Sequence, residues 1–132
     1  MLNQRNYGIY EGRLVSDPVF FAAASGGETV ILKAGCRRNF KGKDSDEYDS
    51  DFAEFRAFIP RNVANHGVYG YLHKGDLVSI QYSLRTGSSE AADGTRNYYQ
   101  SCHIEGLEMK EGRQVREERL EARTASSAKK KR

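Results

Sequence analysis

An all-β barrel of five strands, with one helix between the third and the fourth, is the architecture this sequence of 132 residues predicts. Three observations predict it. Apolar and polar residues alternate with period two along Glu28–Phe40, Asp51–Phe58 and Asp76–Thr86, and successive side chains on a strand point to opposite faces. Turn-forming clusters punctuate the chain at Ser16-Asp17-Pro18, Ser25-Gly26-Gly27 and Gly87–Gly94. Only one segment of the first 110 residues, Asn62–Lys74, has the length and boundaries of a helix.

Each element follows from its residues. Tyr7–Val15 reads as the first strand, stopped by Pro18, which cannot donate to a ladder. Glu28–Phe40 is a long second strand with Leu32, Ala34 and Cys36 facing inward and Lys33, Gly35 and Arg37 outward. Lys41–Asp51 is a polar hairpin loop, and Phe52–Ile59 the third strand. Pro60 suits a helix start, Gly75 a helix end, with Val63, Ala64, Tyr71 and Leu72 as buried positions. Gly67 and Gly70 weaken that helix. The fourth strand, Asp76–Thr86, turns Val78, Ile80, Tyr82 and Leu84 to one side; Asn97–Met109 is the fifth. Five strands with a helix in that place are the order of an OB-fold, a partly open Greek-key barrel. An SH3-like barrel or a small sandwich has as many strands, but the helix favours the OB arrangement. From Lys110 onward apolar residues nearly vanish, so residues 1–110 read as one domain and 111–132 as a flexible basic tail.

Composition narrows the classes of function. No apolar run reaches the length of a membrane span and no signal-peptide core is visible, which predicts a cytoplasmic protein. Cys36 and Cys102 lie outside any CxxC pair and read as two reduced thiols, with a disulfide between them left open. The scattered His66, His73 and His103 do not complete a zinc site. The acidic stretch from Asp44 fails as an EF-hand loop, which needs glycine where Asp49 stands and a bidentate glutamate where Phe55 stands. No nucleophile–base constellation and no glycine-rich phosphate loop is visible, so an enzyme is not expected, nor a cofactor. The net charge of +3 is unevenly divided. Residues 1–110 hold 13 Lys and Arg against 14 Asp and Glu, a net of −1; residues 111–132 hold 8 against 4, a net of +4. Anion binding by the folded part must therefore come from local arrangement.

The run Asp51–Phe58 is the most informative. Ala53, Phe55 and Ala57 share one face, Phe52, Glu54, Arg56 and Phe58 the other. Two rings flanking a guanidinium suit single-stranded nucleic acid, where bases stack on rings and phosphates meet cations. A strand buried on both faces explains the same pattern, and the run alone does not choose.

Motifs along the chain resemble the bacterial and phage single-stranded DNA-binding protein family. They are Met1-Leu2-Asn3, Gly12-Arg13-Leu14, Asp17-Pro18, Cys36-Arg37-Arg38-Asn39-Phe40, Asp51-Phe52 with Phe58, Asn62-Val63-Ala64, Leu72-His73-Lys74-Gly75-Asp76, and Asp93-Gly94 followed by Tyr98. The resemblance covers residues 1–109. It implies OB-fold subunits, usually homotetramers, that coat and protect single-stranded DNA without strong sequence preference and recruit replication, recombination and repair proteins. It implies neither chemistry nor a cofactor. The sequence itself leaves dimer and tetramer open. Three departures stand out: there is no Trp, the loop before the third strand is acidic, and Lys129-Lys130-Lys131-Arg132 stands where the family carries an acidic tip that docks partner enzymes. They point to a specialised paralogue of a phage, plasmid or integrative element.

With the resemblance, Phe40, Phe52 and Phe58 are the expected stacking residues, and Lys33, Arg37, Arg38, Arg56 and Arg85 the expected phosphate contacts. Arg56 beside Glu54 is the cation whose charge an acid neighbour would cancel, and Arg13 fits a subunit interface as well. Of Tyr98 and Tyr99, one is expected in the core and Tyr99 on the outward side. A second function fits the near-neutral domain and acidic loop: an OB-fold protein-interaction or primosome-accessory subunit with weak affinity for DNA or RNA.

Overall fold

Alternation closes the chain on itself. The computed structural model describes residues 3–44 and 46–130, with the backbone alone for 113 and 126–130. Its strands are β1 (Gly8–Leu14), β2 (Val19–Ala22), β3 (Glu28–Lys41), β4 (Tyr48–Ile59), β5 (Leu77–Glu90) and β6 (Arg96–Met109). They are ordered β1-β5-β6-β4-β3-β2, and β1 also pairs with β3. Five strands thus form a closed Greek-key barrel, the OB-fold. Short β2 hangs on β3 from Val19↔Ile31 to Ala22↔Glu28. The pairing of β4 with β6 is parallel and touches only at Phe55↔Cys102 and Arg56↔His103; the other pairings are antiparallel.

The core is built from the inward set of each strand: Leu14, Val30, Leu32, Ala34, Phe55, Ala57, Ile59, Val78, Ile80 and Ile104, with Leu72 plugging one end. Phe55 sits at its centre between Tyr10 and Tyr82, ring centroids 5.2 and 5.4 Å away. Gly12 is required by closure. A Cβ there would lie 2.3 Å from the Gly35 carbonyl oxygen, where β1 crosses from β5 to β3. Cys36 and Cys102 are free, half-buried thiols.

Four expectations need correction. First, Val19–Ala22 is a strand, and β4 begins at Tyr48 rather than Phe52; the hairpin extends into a stretch whose acidic residues hid its extended backbone. Second, the segment between β4 and β5 is not one α-helix. It is a 3-10 segment, Ala64–Tyr71, broken by positive φ at Asn65, His66 and Gly67. Three residues per turn replace 3.6, so the side chains turned inward are His66, Tyr69 and Leu72, while Val63, Ala64 and Tyr71 are exposed. Third, β5 and β6 run on past the barrel, so Leu84 and both Tyr98 and Tyr99 are exposed.

Fourth, Arg113–Lys130 forms a helix, α1, where a flexible tail is expected; Lys131 and Arg132 of that tail lie outside the described residues, as do Met1-Leu2 of the first motif. An apolar stripe does not seat α1. Arginines at i, i+3 and i+7 do, on one helical face. Arg116 and Arg119 reach opposite oxygens of the buried Asp76 carboxylate at 3.1 and 3.2 Å, and Arg123 pairs with Asp17 at 3.2 Å. Glu111 joins the cluster, bonded to Arg119 and, at 2.8 Å, to Arg13. Arg13 therefore ties β1 to the barrel end, also donating to the Gly75 carbonyl at 3.0 Å.

Candidate nucleic-acid interface

The outer side of β4 carries Phe52, Glu54, Arg56 and Phe58, because the inner alternation is committed to Ala53, Phe55, Ala57 and Ile59. Pairing with β3 sets Gly35 opposite Phe52, Lys33 opposite Glu54, Ile31 opposite Arg56 and Thr29 opposite Phe58. From the other flank, β6 brings His103 beside Arg56, and β5 sets Arg85 opposite Ser101 and Gly87 opposite Tyr99. One continuous face thus unites Lys33, Arg37, Phe52, Arg56, Phe58, Arg85 and Tyr99.

Its rings are seated rather than loose. Phe52 is 69% exposed, Phe58 48% and Tyr99 55%, yet each lies against a glycine. A Cβ on Gly35 would come within 2.8 Å of the Phe52 ring, one on Gly27 within 2.5 Å of Phe58, and one on Gly87 within 2.3 Å of the Tyr99 hydroxyl. A bare glycine lets a ring cover it across strands. These three glycines, and Tyr48, are the parts of the face that sequence reasoning missed; register sets Gly35 opposite Phe52 and Gly87 opposite Tyr99, whereas Gly27 meets Phe58 from the turn before β3 and Tyr48 carries no such signal.

Two expected residues fall elsewhere. Phe40 is exposed at the far end of β3, past an irregularity between Arg37 and Lys41. Arg38 follows Arg37 and so projects to the other side of the hairpin. There it grips Asp51 with two bonds, Nε to Oδ2 at 2.9 Å and Nη2 to Oδ1 at 2.8 Å. That fork holds the Asp51 carboxyl below its ordinary range and the guanidinium above its own.

Acids also answer the cations on the face. Arg56 Nη2 bonds Glu54 Oε1 at 3.1 Å, and Arg85 lies 3.7 Å from Glu105. Ser83 Oγ donates to Glu105 at 2.7 Å and leads the groups that depress its carboxyl, aided by His103 and Arg85. Burial, then the Arg85 charge, pushes His103 down, against the opposing pull of Glu105. Arg37 stacks over the Tyr48 ring at 4.4 Å, with Lys41 at 5.6 Å. Lys33 has no ion pair among the described residues. No group of three His, Cys, Asp or Glu among the described residues converges as a metal site.

This face sits on an OB barrel where β4 and β6 meet. The Single-strand binding protein family matches residues 6–110. The chain belongs to that family. Over 99 residues it is 33% identical to a single-stranded DNA-binding protein of Clostridium perfringens (strain 13 / Type A), a match that spans 74% of this chain and 61% of the relative. The chain thus covers less than two thirds of that relative's length. The structure accounts for the Gly12-Arg13-Leu14 and Asp17-Pro18 motifs in physical terms. Gly12 permits strand crossing, Arg13 binds Glu111, and Asp17 accepts the Lys74 amide at 2.7 Å.

Proposed function

We propose that this protein binds and protects single-stranded DNA without catalysis or cofactor, largely independently of sequence, in replication, recombination or repair. The observation that carries the reading is the single face on which Phe52, Phe58 and Tyr99 lie exposed, each backed by a glycine, among Lys33, Arg37, Arg56 and Arg85. Bases stack on such rings irrespective of identity, and phosphates are met by the cations between them. Phe40 extends the stacking track beyond the barrel, and Arg38 enters it once a phosphate displaces Asp51.

Self-assembly belongs to the same proposal. The β1 strand pairs with β5 from Gly8 to Arg13 but with β3 only at Arg13 and Leu14, and Tyr7 and Ile9 are exposed beside that open edge. A two-fold pairing of copies would cover it, giving a dimer or, by doubling, a tetramer. Replication or repair proteins are its proposed further partners and the cytoplasm its compartment. No helix among the described residues is long and apolar enough to cross a membrane. The absence of Trp from these 132 residues and the acidic loop before β4 favour a phage, plasmid or integrative-element paralogue.

Fluorescence anisotropy of labelled single-stranded oligomers of mixed sequence and increasing length, against duplex of equal length, tests the reading. Length-dependent binding to the single strand alone is expected. The specific observation favouring a second reading, an accessory protein-interaction module, is that Arg38, Arg56 and Arg85 already hold acidic partners. Weak or absent binding at low salt would move the weight to that module and turn the search to protein partners.

A further inference from the structure

Where β4 and β6 diverge, the outer face opens into a cleft. The two strands touch only at Phe55↔Cys102 and Arg56↔His103, and toward their N-terminal ends they splay. The resulting cavity, about 520 Å³, is lined by Glu54, Arg56, Tyr99, Gln100, Ser101 and Cys102. That volume lies within the range of small-molecule sites, about 300–1,000 Å³. Its wall combines a ring with an acceptor and a donor side by side. Tyr99 rests on Gly87, which leaves the remaining ring surface to line the cleft. Glu54 Oε1 takes one hydrogen bond, from Arg56 Nη2 at 3.1 Å; Oε2 has none among the described residues. A carboxylate only accepts and a guanidinium only donates, and Arg56 has further N–H groups than the one Glu54 uses.

Such a pair distinguishes bases by their edges. Cytosine presents an exocyclic amine beside two ring-edge acceptors, N3 and O2, so its amine meets a carboxylate while the acceptors meet a guanidinium; Glu or Asp accepting from the cytosine amine is a recurrent contact. Thymine and uracil present a single N–H flanked by two carbonyl oxygens. A carboxylate reaching that N–H is forced against lone pairs on both sides, and no exocyclic amine rewards it. Glu54 standing amid the cations makes little sense as a phosphate contact, since it repels phosphate, but it makes sense as a base contact.

We propose that the cleft between β4 and β6 is a subsite for one unstacked nucleobase bearing an exocyclic amine, cytosine above all, with Tyr99 stacking on it, Glu54 accepting from the amine and Arg56 donating to the ring acceptors. The proposal rests on the single-stranded DNA reading and qualifies its sequence independence at one nucleotide per subunit. Gln100 and Ser101 line the same cleft and complete its polar rim.

The test is competition of unlabelled dC and dT oligomers of equal length, near pH 7.5, for a labelled mixed-sequence strand, with the wild type and Glu54→Gln. A good base contact discriminates by about 1–3 kcal/mol, roughly 5- to 150-fold. The wild type is expected to bind dC at least about fivefold more tightly than dT. A glutamine amide offers a donor as well as an acceptor, so E54Q is expected to bring the ratio close to one, chiefly by tightening dT. Equal affinities in the wild type, or a ratio that survives E54Q, overturn the subsite and leave the DNA reading standing. An E54Q variant that tightens both oligomers equally also overturns it, showing a carboxylate that merely repels phosphate. Binding to neither oligomer overturns both readings.

Discussion

Phe52 and Phe55 stand three residues apart on one strand and meet opposite fates. Phe55 is 1% exposed and wedged between two tyrosines. Phe55→Ala should therefore cost about 3–5 kcal/mol of stability, read as a lower urea midpoint with binding lost alongside the fold. Phe52→Ala and Phe58→Ala remove rings that only cover glycines. Cross-strand pairs of that kind contribute about 0.2–1 kcal/mol, so both variants should stay folded, while each lost stack weakens single-strand binding by about 1–3 kcal/mol per base. Anisotropy and urea melts on the same samples check the contrast; a large stability loss without a binding defect would return Phe52 and Phe58 to a structural role. At this scale the sequence was highly legible. Period-two alternation put Phe52 and Phe55 on opposite faces unaided, because it depends only on strand geometry, but it did not decide that the Phe52 face meets solvent. The tyrosines were not separable in this way, since nothing local says that β5 and β6 outrun the barrel and leave Tyr98 and Tyr99 both in solvent.

Among the elements, α1 shows how a segment poor in apolar residues can still be placed. Asp76 is 3% exposed, accepts the His73 amide at 2.9 Å and receives both Arg116 and Arg119. Asp76→Ala should destabilise the barrel end by about 1–3 kcal/mol, the usual penalty for stranding buried polar groups, and should reduce the helical circular-dichroism signal by releasing α1. Acid should release it too. Arg123, then the Lys74 amide, holds the Asp17 carboxyl below its ordinary 3.8, and Arg13, then Arg119, holds Glu111 below its ordinary 4.5. Carboxyls lowered by docking support it fully above those ordinary values and lose it as pH falls through the lowered ones. The helix should thus stay docked at neutral pH and loosen as pH falls below 4.5 and 3.8 and on through the lowered values, followed by far-UV circular dichroism; docking unchanged at the acid end of the titration, with both carboxyls protonated, would argue that the ion pairs are incidental. A search for apolar stripes could not find this element, because what repeats along it is arginine. The 3-10 segment eluded reading for a related reason. Its period changes where three residues in succession take positive φ.

For the molecule as a whole, charge is arranged so that the face carries cations yet spends little on long-range attraction. Of the five cations expected to meet phosphate, Arg38, Arg56 and Arg85 already hold carboxylates, while Lys33 has none among the described residues and Arg37 rests on Tyr48. Cations paired in this way release few counterions. With about 0.7 ion per neutralised phosphate on a single strand, two unpaired cations give a log–log salt slope of about −1.4 where five would give about −3.5. Anisotropy titrations from 50 to 300 mM salt measure it, and Asp51→Asn, which frees Arg38, should steepen the slope by about 0.7. A wild-type slope near −3.5 would mean that phosphate displaces the acids readily. The OB barrel was legible from element order, and the residues of the face largely so. The pairing that quiets its charge was not, because Glu105 and Arg85 are brought together only by the β5–β6 register and its irregularity at Gln81/Tyr82.

The glycine seats beneath Phe52, Phe58 and Tyr99 have a kinetic consequence. Rings held in place before the strand arrives need not search for their rotamers during encounter, so the ordering cost of association is small. Encounter is then set by diffusion and hardly altered by which ligand arrives, whereas the time a strand remains is set by how many seats it fills. Differences among oligomers, and among variants at the three rings, should consequently be written in residence time, in a dissociation rate that lengthens or shortens while the association rate stays nearly constant.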